Sequence, residues 1–520
     1  MESTRMFNLT YIGHAGWVVR RGALKAMFDP WLNPYGTFFN SWHQFPDNSH
    51  MLNEELFENL DFLYISHAHT DHYDEWTLKN IDKSTTVLIP NFKDKTLRDG
   101  LRKMGFSCIF EMREKDEIKI KDVNIRMLIE DGFSDRDSAI ILDDGENKIV
   151  NLNDCHPSFE KVKKYSQNVD LLLLQCSSAI WWPCVYDYKH EEMIEKCKIK
   201  KKNVMERALQ YAKHINAKHV VPNAGPPLFL HEQFKFWDET RREEFNPFPL
   251  QDEICDYLQQ AGISSLLVIP GSELSVKGDT TSNNTNAQEV KKIYGNFLGY
   301  LEEKRREKYD KGQLKEHFFL NSNIDRLVEK FSSLILEIKK ESKIFVHKIN
   351  FPVLIEFENH SKWIIDFALE DCFSEYINQQ YTYSFKFDPY IVNHLINKDN
   401  IDFDEYFLSM RFQCSRKGGM FNEFLFTMFK NFDIKRLKLS ETIYMRDNIS
   451  KGNKSETFIA LVDGREKRIQ KYCPHQFINL EKCGILDGET LTCPLHKWKF
   501  DLKTGKCITS DSYYLSVKDV

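Results

Sequence analysis

The sequence predicts an α+β chain of several domains: a sandwich of two sheets between helices, a mixed α/β region, and a small all-β domain at the carboxyl end. Three observations predict it. At 520 residues the chain is too long for one ordinary core and suggests about three or four domains. Apolar runs such as Leu60 to Ser66 and Asp170 to Gln175 lack strict alternation, as expected of strands covered on both faces, and they are interspersed with helical patterns. The last eighty residues or so carry short strand-like runs punctuated by Gly484, Gly488 and Gly505.

In chain order, residues 7 to 20 read as two short strands joined at Gly13 to Gly16, and Ala26 to Phe28 as a strand ending in the turn Asp29-Pro30-Trp31-Leu32. Leu60 to Ser66, Ser84 to Pro90 and Asn124 to Ile129 follow as strands, with a helix over Thr96 to Met104. Ser138 to Leu142 and Lys148 to Leu152 form a hairpin across Asp143-Asp144-Gly145. Asp170 to Gln175 is a buried strand, and a helix from Val204 to His214 precedes a strand over Ala217 to Pro222. The aromatic and charged stretch 228 to 245 reads as a lid or anion-binding wall, with Arg241 and Arg242 more simply on a solvated helix face. Leu266 to Pro270 reads as the last strand of the first unit, and Thr280 to Asn286 as a polar boundary loop. Beyond it, Lys291 to Lys311 is partly helical. Helices over Val328 to Ile338 and Phe421 to Phe429 flank strands at Val353 to Phe357 and Trp363 to Phe367, with abundant aromatics read as core. Asp447 to Lys454 reads as a linker, and Thr490 to Thr492, Lys497 to Leu502 and Tyr513 to Val517 as strands of the tail. The expected domains are 1–278, 287–440 and 441–520.

The strand at Leu60 to Ser66 delivers His67-Ala68-His69-Thr70-Asp71-His72 at its carboxyl end. Alternate histidines there can converge on one metal ion, while Asp71 and His72 address an adjacent one. A core histidine explains one such residue, not three with an aspartate in six positions. This run resembles the metal-binding signature of the metallo-β-lactamase superfamily, which implies an αββα sandwich with metals at one sheet edge. The resemblance makes Asp154 a bridging or terminal ligand; its plain reading is a turn residue beside Asn153 and Pro157. His156 is available nearby. The histidines that hydrolytic members carry in an intermediate loop and after the last strand are missing, with Asp131-Gly132-Phe133 and Asn223-Ala224-Gly225 in those places. The remaining ligands suit iron held by histidines and a carboxylate, mononuclear or dinuclear.

In the tail, Cys473-x-His475 and Cys493-x-x-His496 are separated by seventeen residues. Two thiolates and two imidazoles can hold one zinc or the two irons of a Rieske cluster, and one residue of each kind per arm favours the latter. The tail resembles a Rieske [2Fe-2S] domain of the oxygenase type, with Cys473, His475, Cys493 and His496 in the ligand places. Ile478 stands about where a respiratory-type domain has an extra cysteine.

The segments Asp29-Pro30-Trp31-Leu32, Ile65 to His72, Asn153-Asp154-Cys155 and Pro222-Asn223-Ala224-Gly225 look like those of the CMP-N-acetylneuraminic acid hydroxylase family. That resemblance implies an O2-dependent hydroxylase joining lactamase-like and Rieske domains. The family's Rieske domain is at the amino terminus, whereas here it is at the carboxyl terminus.

A Rieske cluster exchanges one electron and offers no open position, so a histidine and carboxylate iron would supply the site for O2. The expected activity is hydroxylation or N-oxidation of a polar small molecule, such as a nucleotide-linked amino sugar. The alternative is a hydrolase with a redox-sensing tail. The electron donor is expected to be a separate ferredoxin, cytochrome or reductase, since no glycine-rich dinucleotide fingerprint follows a strand. Electron transfer within one chain or across a homo-oligomer both remain open. The net charge of -6 gives no global reason to bind a nucleic acid polymer. Twelve scattered cysteines and the lack of a signal-like or membrane-spanning run suggest a cytoplasmic protein.

Overall fold

The computed structural model describes residues 6–130, 137–175, 177–178, 180–278, 280–314, 326–418, 420–452, 456–475 and 478–520, with backbone alone over 446–452. It divides into two compact units, the first built from Met1–Asp131, Asp135–Ala179 and Ile194–Lys315, the second chiefly from Ile180–Met193 and Glu316–Val520.

The first unit contains β1 (Phe7–Gly13), β2 (Gly16–Arg21), β3 (Leu24–Phe28), β4 (Phe62–Tyr64), β5 (Thr86–Pro90), β6 (Ile109–Met112) and β7 (Glu117–Ile120). There follow β8 (Val123–Ile129), β9 (Ser138–Asp143), β10 (Lys148–Asn151), β11 (Leu171–Gln175), β12 (His219–Asn223), β13 (Glu273–Lys277) and β14 (Thr280–Asn283). One sheet has the order β14-β13-β1-β2-β3-β4-β5-β6 and the other β12-β11-β10-β9-β8-β7. Leu9, Tyr11, Val19, Phe28 and Tyr64 share the core between the sheets with Ile125, Ile140, Leu142, Leu173 and Val221. On the other face of the first sheet, Val18, Leu63, Val87 and Ile89 pack with Leu97 and Leu101 of the helix Thr96–Lys103. Burial on both faces explains why these strands do not alternate in sequence.

Strands β3, β4 and β5 are parallel, as are β10, β11 and β12, so the carboxyl ends within each set lie together. Just below those ends the Tyr64 hydroxyl bonds to the Ser138 hydroxyl (2.9 Å), and Ser138 donates to the Ser66 carbonyl (2.8 Å). These bonds fix the loops after β4 against the start of β9.

Several elements differ from expectation. Leu266 to Pro270 lies outside the strands, and the sheet edge is formed by β13 and β14. Thr280–Asn283, expected as loop, tolerates its polar residues because an edge strand leaves side chains in water. The helix expected from Val204 begins at His190 and runs to Ile215. Arg241 is fully buried rather than solvated, donating to Asp238 (2.8 Å) and to the Pro227 carbonyl (2.9 Å). Arg242 pairs with Asp252. The helix Ile434–Gly452 takes most of the expected linker, whose last residues lie outside those described.

In the second unit, β15 (Val353–Phe357), β16 (Lys362–Ile365), β17 (Phe373–Glu375), β18 (Tyr383–Phe387) and β19 (Gln413–Arg416) form a sheet ordered β17-β16-β15-β18-β19. Segment 180–193 joins it: Tyr186 bridges Cys414 of β19, and Trp181 packs against Phe407 and Phe426. The interior is filled by rings, among them Phe385 and Phe403 against Phe429 at 5.2 and 5.5 Å. The aromatics of this region are core.

The tail holds β20 (Thr457–Val462), β21 (Arg465–Gln470), β22 (Ile485–Asp487), β23 (Thr490–Thr492), β24 (Lys499–Asp501) and β25 (Val517–Asp519) in two three-stranded sheets, β20-β21-β25 and β22-β23-β24. Where a strand is expected from Tyr513, pairing with β21 starts only at Val517. Among the described residues no helix is long and apolar enough to cross a membrane.

Candidate metal centres

At the strand ends of the first unit, His67, His69, Asp71, His72 and Asp154 come together, joined by His14 and Asp137. Three trios have donor atoms within 4.8 Å of one another: His67, His69 and Asp137; His67, His72 and Asp154; and His14, Asp71 and His72. His67 Nε2 lies 2.9 Å from His69 Nδ1 and 3.6 Å from Asp137 Oδ1. His72 Nε2 stands 3.6 Å from Asp154 Oδ1 and 3.7 Å from Asp71 Oδ2, and His14 Nε2 is 3.0 Å from Asp71 Oδ2.

Two of the rings, those of His72 and His67, are oriented from behind. Asp29, at the end of β3, accepts from Ser66 through both its amide (2.8 Å) and hydroxyl (2.6 Å), and lies 2.9 Å from His72 Nδ1. Ser66 Oγ is 2.9 Å from His67 Nδ1. Both histidines therefore present Nε2 to the pocket. A carboxylate behind an imidazole fixes its tautomer and raises its basicity.

The charges are strongly coupled. Burial, with the charge of His72, holds His67 well below the ordinary imidazole range, leaving it neutral. Burial opposes a charge on His72, but Asp71, Asp154 and Asp29 outweigh it and push its pKa up to about 10. Asp154 is raised by burial to about 6 despite His72, while His72 and His14 hold Asp71 low against burial. Asp71 Oδ1, His72 Nε2, Asp137 Oδ1 and Asp154 Oδ1 are buried without a hydrogen-bond partner. Unpaired buried polar atoms cost about 1–3 kcal/mol each, so a set converging on one pocket fits a bound cation.

Asp137, His14 and Asp29 were not assigned to the site from sequence. Asp137 is one of several carboxylates before β9 with no spacing to single it out, and the turn motif around His14 has no spacing signal of its own. Asp29 reads from sequence as a turn residue and as part of a resemblance segment. Residues 131–136, including the Asp131-Gly132-Phe133 position, lie outside those described. His156 takes no part in the trios; its ring is near Glu130 (3.9 Å) and burial lowers its pKa strongly. Asn223 reaches Asn151 across the strand ends (3.4 Å).

In the tail the two ligand-like loops close alike: the Cys473 amide donates to the Ile478 carbonyl (2.9 Å), and that of Cys493 to Trp498 (2.8 Å). Cys473 and Cys493 are buried; the rings of His475 and His496 meet edge to face at 4.9 Å. Contact with Cys473 and the amides of Leu495 and His496 lower the Cys493 thiol to about 7 against burial. Thiols paired on one side and imidazoles on the other suit two irons better than one zinc. No disulfide joins the described cysteines. His475 stacks on Trp498 at 4.4 Å, and its Nε2 lies 3.6 Å from Glu423, which also bonds the Tyr513 hydroxyl.

Sandwich, pocket and tail define the class: a metallo-β-lactamase-like domain fused to a C-terminal Rieske [2Fe-2S] domain. A Beta-lactamase superfamily domain matches residues 8–224, an Rv3818-like, SCP2-like domain residues 327–446, and a Rieske [2Fe-2S] domain residues 443–513. The chain belongs to the Rv3818-like family of Rieske iron-sulfur proteins. It is 30% identical over 522 residues to a Mycobacterium tuberculosis protein provisionally named Rieske 2Fe-2S iron-sulfur protein Rv3818, covering 98% of this chain and 99% of that one. The resemblance to cytidine monophosphate-N-acetylneuraminic acid hydroxylase is more restricted: the Xenopus laevis protein is 26% identical over 253 residues, 45% of this chain and 40% of its own. Among solved structures, CmlA, a diiron beta-hydroxylase from Streptomyces venezuelae, aligns with a TM-score of 0.37 at 18% identity, covering 52% of this chain and 54% of that one.

Proposed function

We propose that the protein is a Rieske-coupled non-haem iron oxygenase that hydroxylates or N-oxidises a polar small molecule, using O2 and an external electron donor. The observation that carries this reading is a pocket of histidines and carboxylates, His67 and His69 with Asp137 and His67 and His72 with Asp154, in a chain that also has a Rieske domain. Two histidines with one carboxylate and open positions suit iron oxygenase chemistry, whereas a structural zinc site is closed. When bound, iron in the pocket supplies O2 activation and the cluster on Cys473, His475, Cys493 and His496 supplies single electrons.

The chain's own residues prepare that chemistry. Asp29 and Ser66 hold His72 and His67 with Nε2 toward the pocket, and the buried strands beneath keep bulk water from the donor side. Neutral His67 is ready to coordinate, whereas His72 must release its proton to do so. A nucleotide-linked amino sugar is the first substrate to test, because the partial relatives are named hydroxylases of one.

Incubation of the full chain with a reduced ferredoxin, 18O2 and a metabolite extract, read by untargeted mass spectrometry, tests the reading. One 18O atom should enter a polar metabolite, and replacing His67 should abolish incorporation while leaving cluster reduction intact. O2-independent turnover with zinc in the pocket would instead establish the hydrolase reading.

A further inference from the structure

We propose that His14 is a metal ligand, completing a second ion position with Asp71 and His72 beside the first position at His67, His69 and Asp137. The pocket is then dinuclear. This inference rests on the metal-pocket reading above and extends it to a residue far from the histidine-rich motif.

His14 occupies the turn between β1 and β2 with φ of 53°, a left-handed conformation uncommon for a residue with a side chain. Two hydrogen bonds hold it there, both to the His14 carbonyl: one from the Tyr11 hydroxyl (3.0 Å), one from the Ala224 amide just beyond β12 (2.9 Å). Neighbouring Gly13 has φ of 123°, and a Cβ there would meet Asn48 Nδ2 at 2.8 Å. The constrained turn carries an imidazole that is 2% exposed and stands edge-on to Trp31. Strain of this kind persists where surrounding structure enforces it, commonly at functional sites.

The donor atoms support coordination. His14 Nε2 and Asp71 Oδ2 are 3.0 Å apart, about the separation of two donors that meet at a right angle on one ion roughly 2.1 Å from each. His72 Nε2, the third donor, and the second oxygen of Asp71 are buried without hydrogen-bond partners. The end of β12 contributes an amide instead, Asn223 toward Asn151, so the imidazole beside that strand end comes from the first hairpin.

The alternative is that His14 only positions Asp71 through a hydrogen bond. Co(II) titration of the full chain depleted of pocket metal, with the Rieske visible spectrum as a check that the tail is intact, separates the two. The variant His14→Asn keeps a residue tolerant of positive φ and removes the imidazole; His14→Asp restores a donor. Wild type should take up two Co(II), and His14→Asn should lose the second by more than the roughly 10–100-fold expected for loss of an outer partner, with partial recovery in His14→Asp. Uptake of two ions by His14→Asn with affinities within about 100-fold of wild type overturns the inference, as does uptake of only one ion by wild type. No uptake by wild type overturns the metal-pocket reading itself.

Discussion

At the scale of residues, the pocket is a set of donors with their supports behind them. Five of the candidate residues that come together there were legible because the motif from His67 to His72 concentrates them at one strand end and Asp154 follows another. His14, Asp29 and Asp137 were not, since each is a single residue brought in from a different strand end by sheet pairing. Asp29 gives a direct test of the support role. Asp29→Asn should lower metal affinity by about 10–100-fold with little change in thermal stability of the loaded protein, measured by Co(II) titration. In the tail, the carboxylate of Glu423 beside His475 disfavours adding an electron to the cluster. Glu423→Gln should therefore raise its reduction potential by roughly 30–60 mV in a spectroelectrochemical titration, about 0.7–1.4 kcal/mol for a one-electron couple.

At the scale of elements, strands buried on both faces were the easiest to read and polar edges the hardest. β11 is apolar along its length and was placed to within a residue, whereas β14 is composed of threonine, serine and asparagine and reads as a loop until its pairing with β13 is known. The same limit applied to Arg241. Charge suggested solvent, but Asp238 satisfies it inside the fold, with Phe229 and Phe248 each 5.2 Å from the guanidinium. Without Arg241, buried Asp238 keeps the Phe229 amide and only a more distant cation, Arg305 at 4.0 Å. Arg241→Ala should destabilise the first unit by about 3–5 kcal/mol in urea denaturation.

At the scale of the whole molecule, the order of modules was legible from motifs, but their interleaving was not. Segment 180–193 leaves the chain of the first unit to extend the second unit's sheet beside β19, and Trp181 and Tyr186 are buried there. Trp181 packs inside the second unit, against Phe407 and Phe426. A fragment of residues 1–315 should expose these rings, bind 8-anilinonaphthalene-1-sulfonate and aggregate, and co-expression with residues 316–520 should suppress both effects. Similar dye binding with and without the second fragment would show that the segment does not depend on that sheet.

The proposed division of labour, in which the cluster delivers electrons and the pocket consumes them, is tested most directly by stopped-flow reoxidation of the dithionite-reduced full chain. The chain is mixed with O2 and the small-molecule extract, and the cluster absorbance is followed in wild type and in His67→Ala. Wild type should reoxidise at least about tenfold faster, a difference of about 1.4 kcal/mol in barrier. Equal rates in the two proteins, with both clusters intact, would contradict a role for the pocket in taking up the electrons.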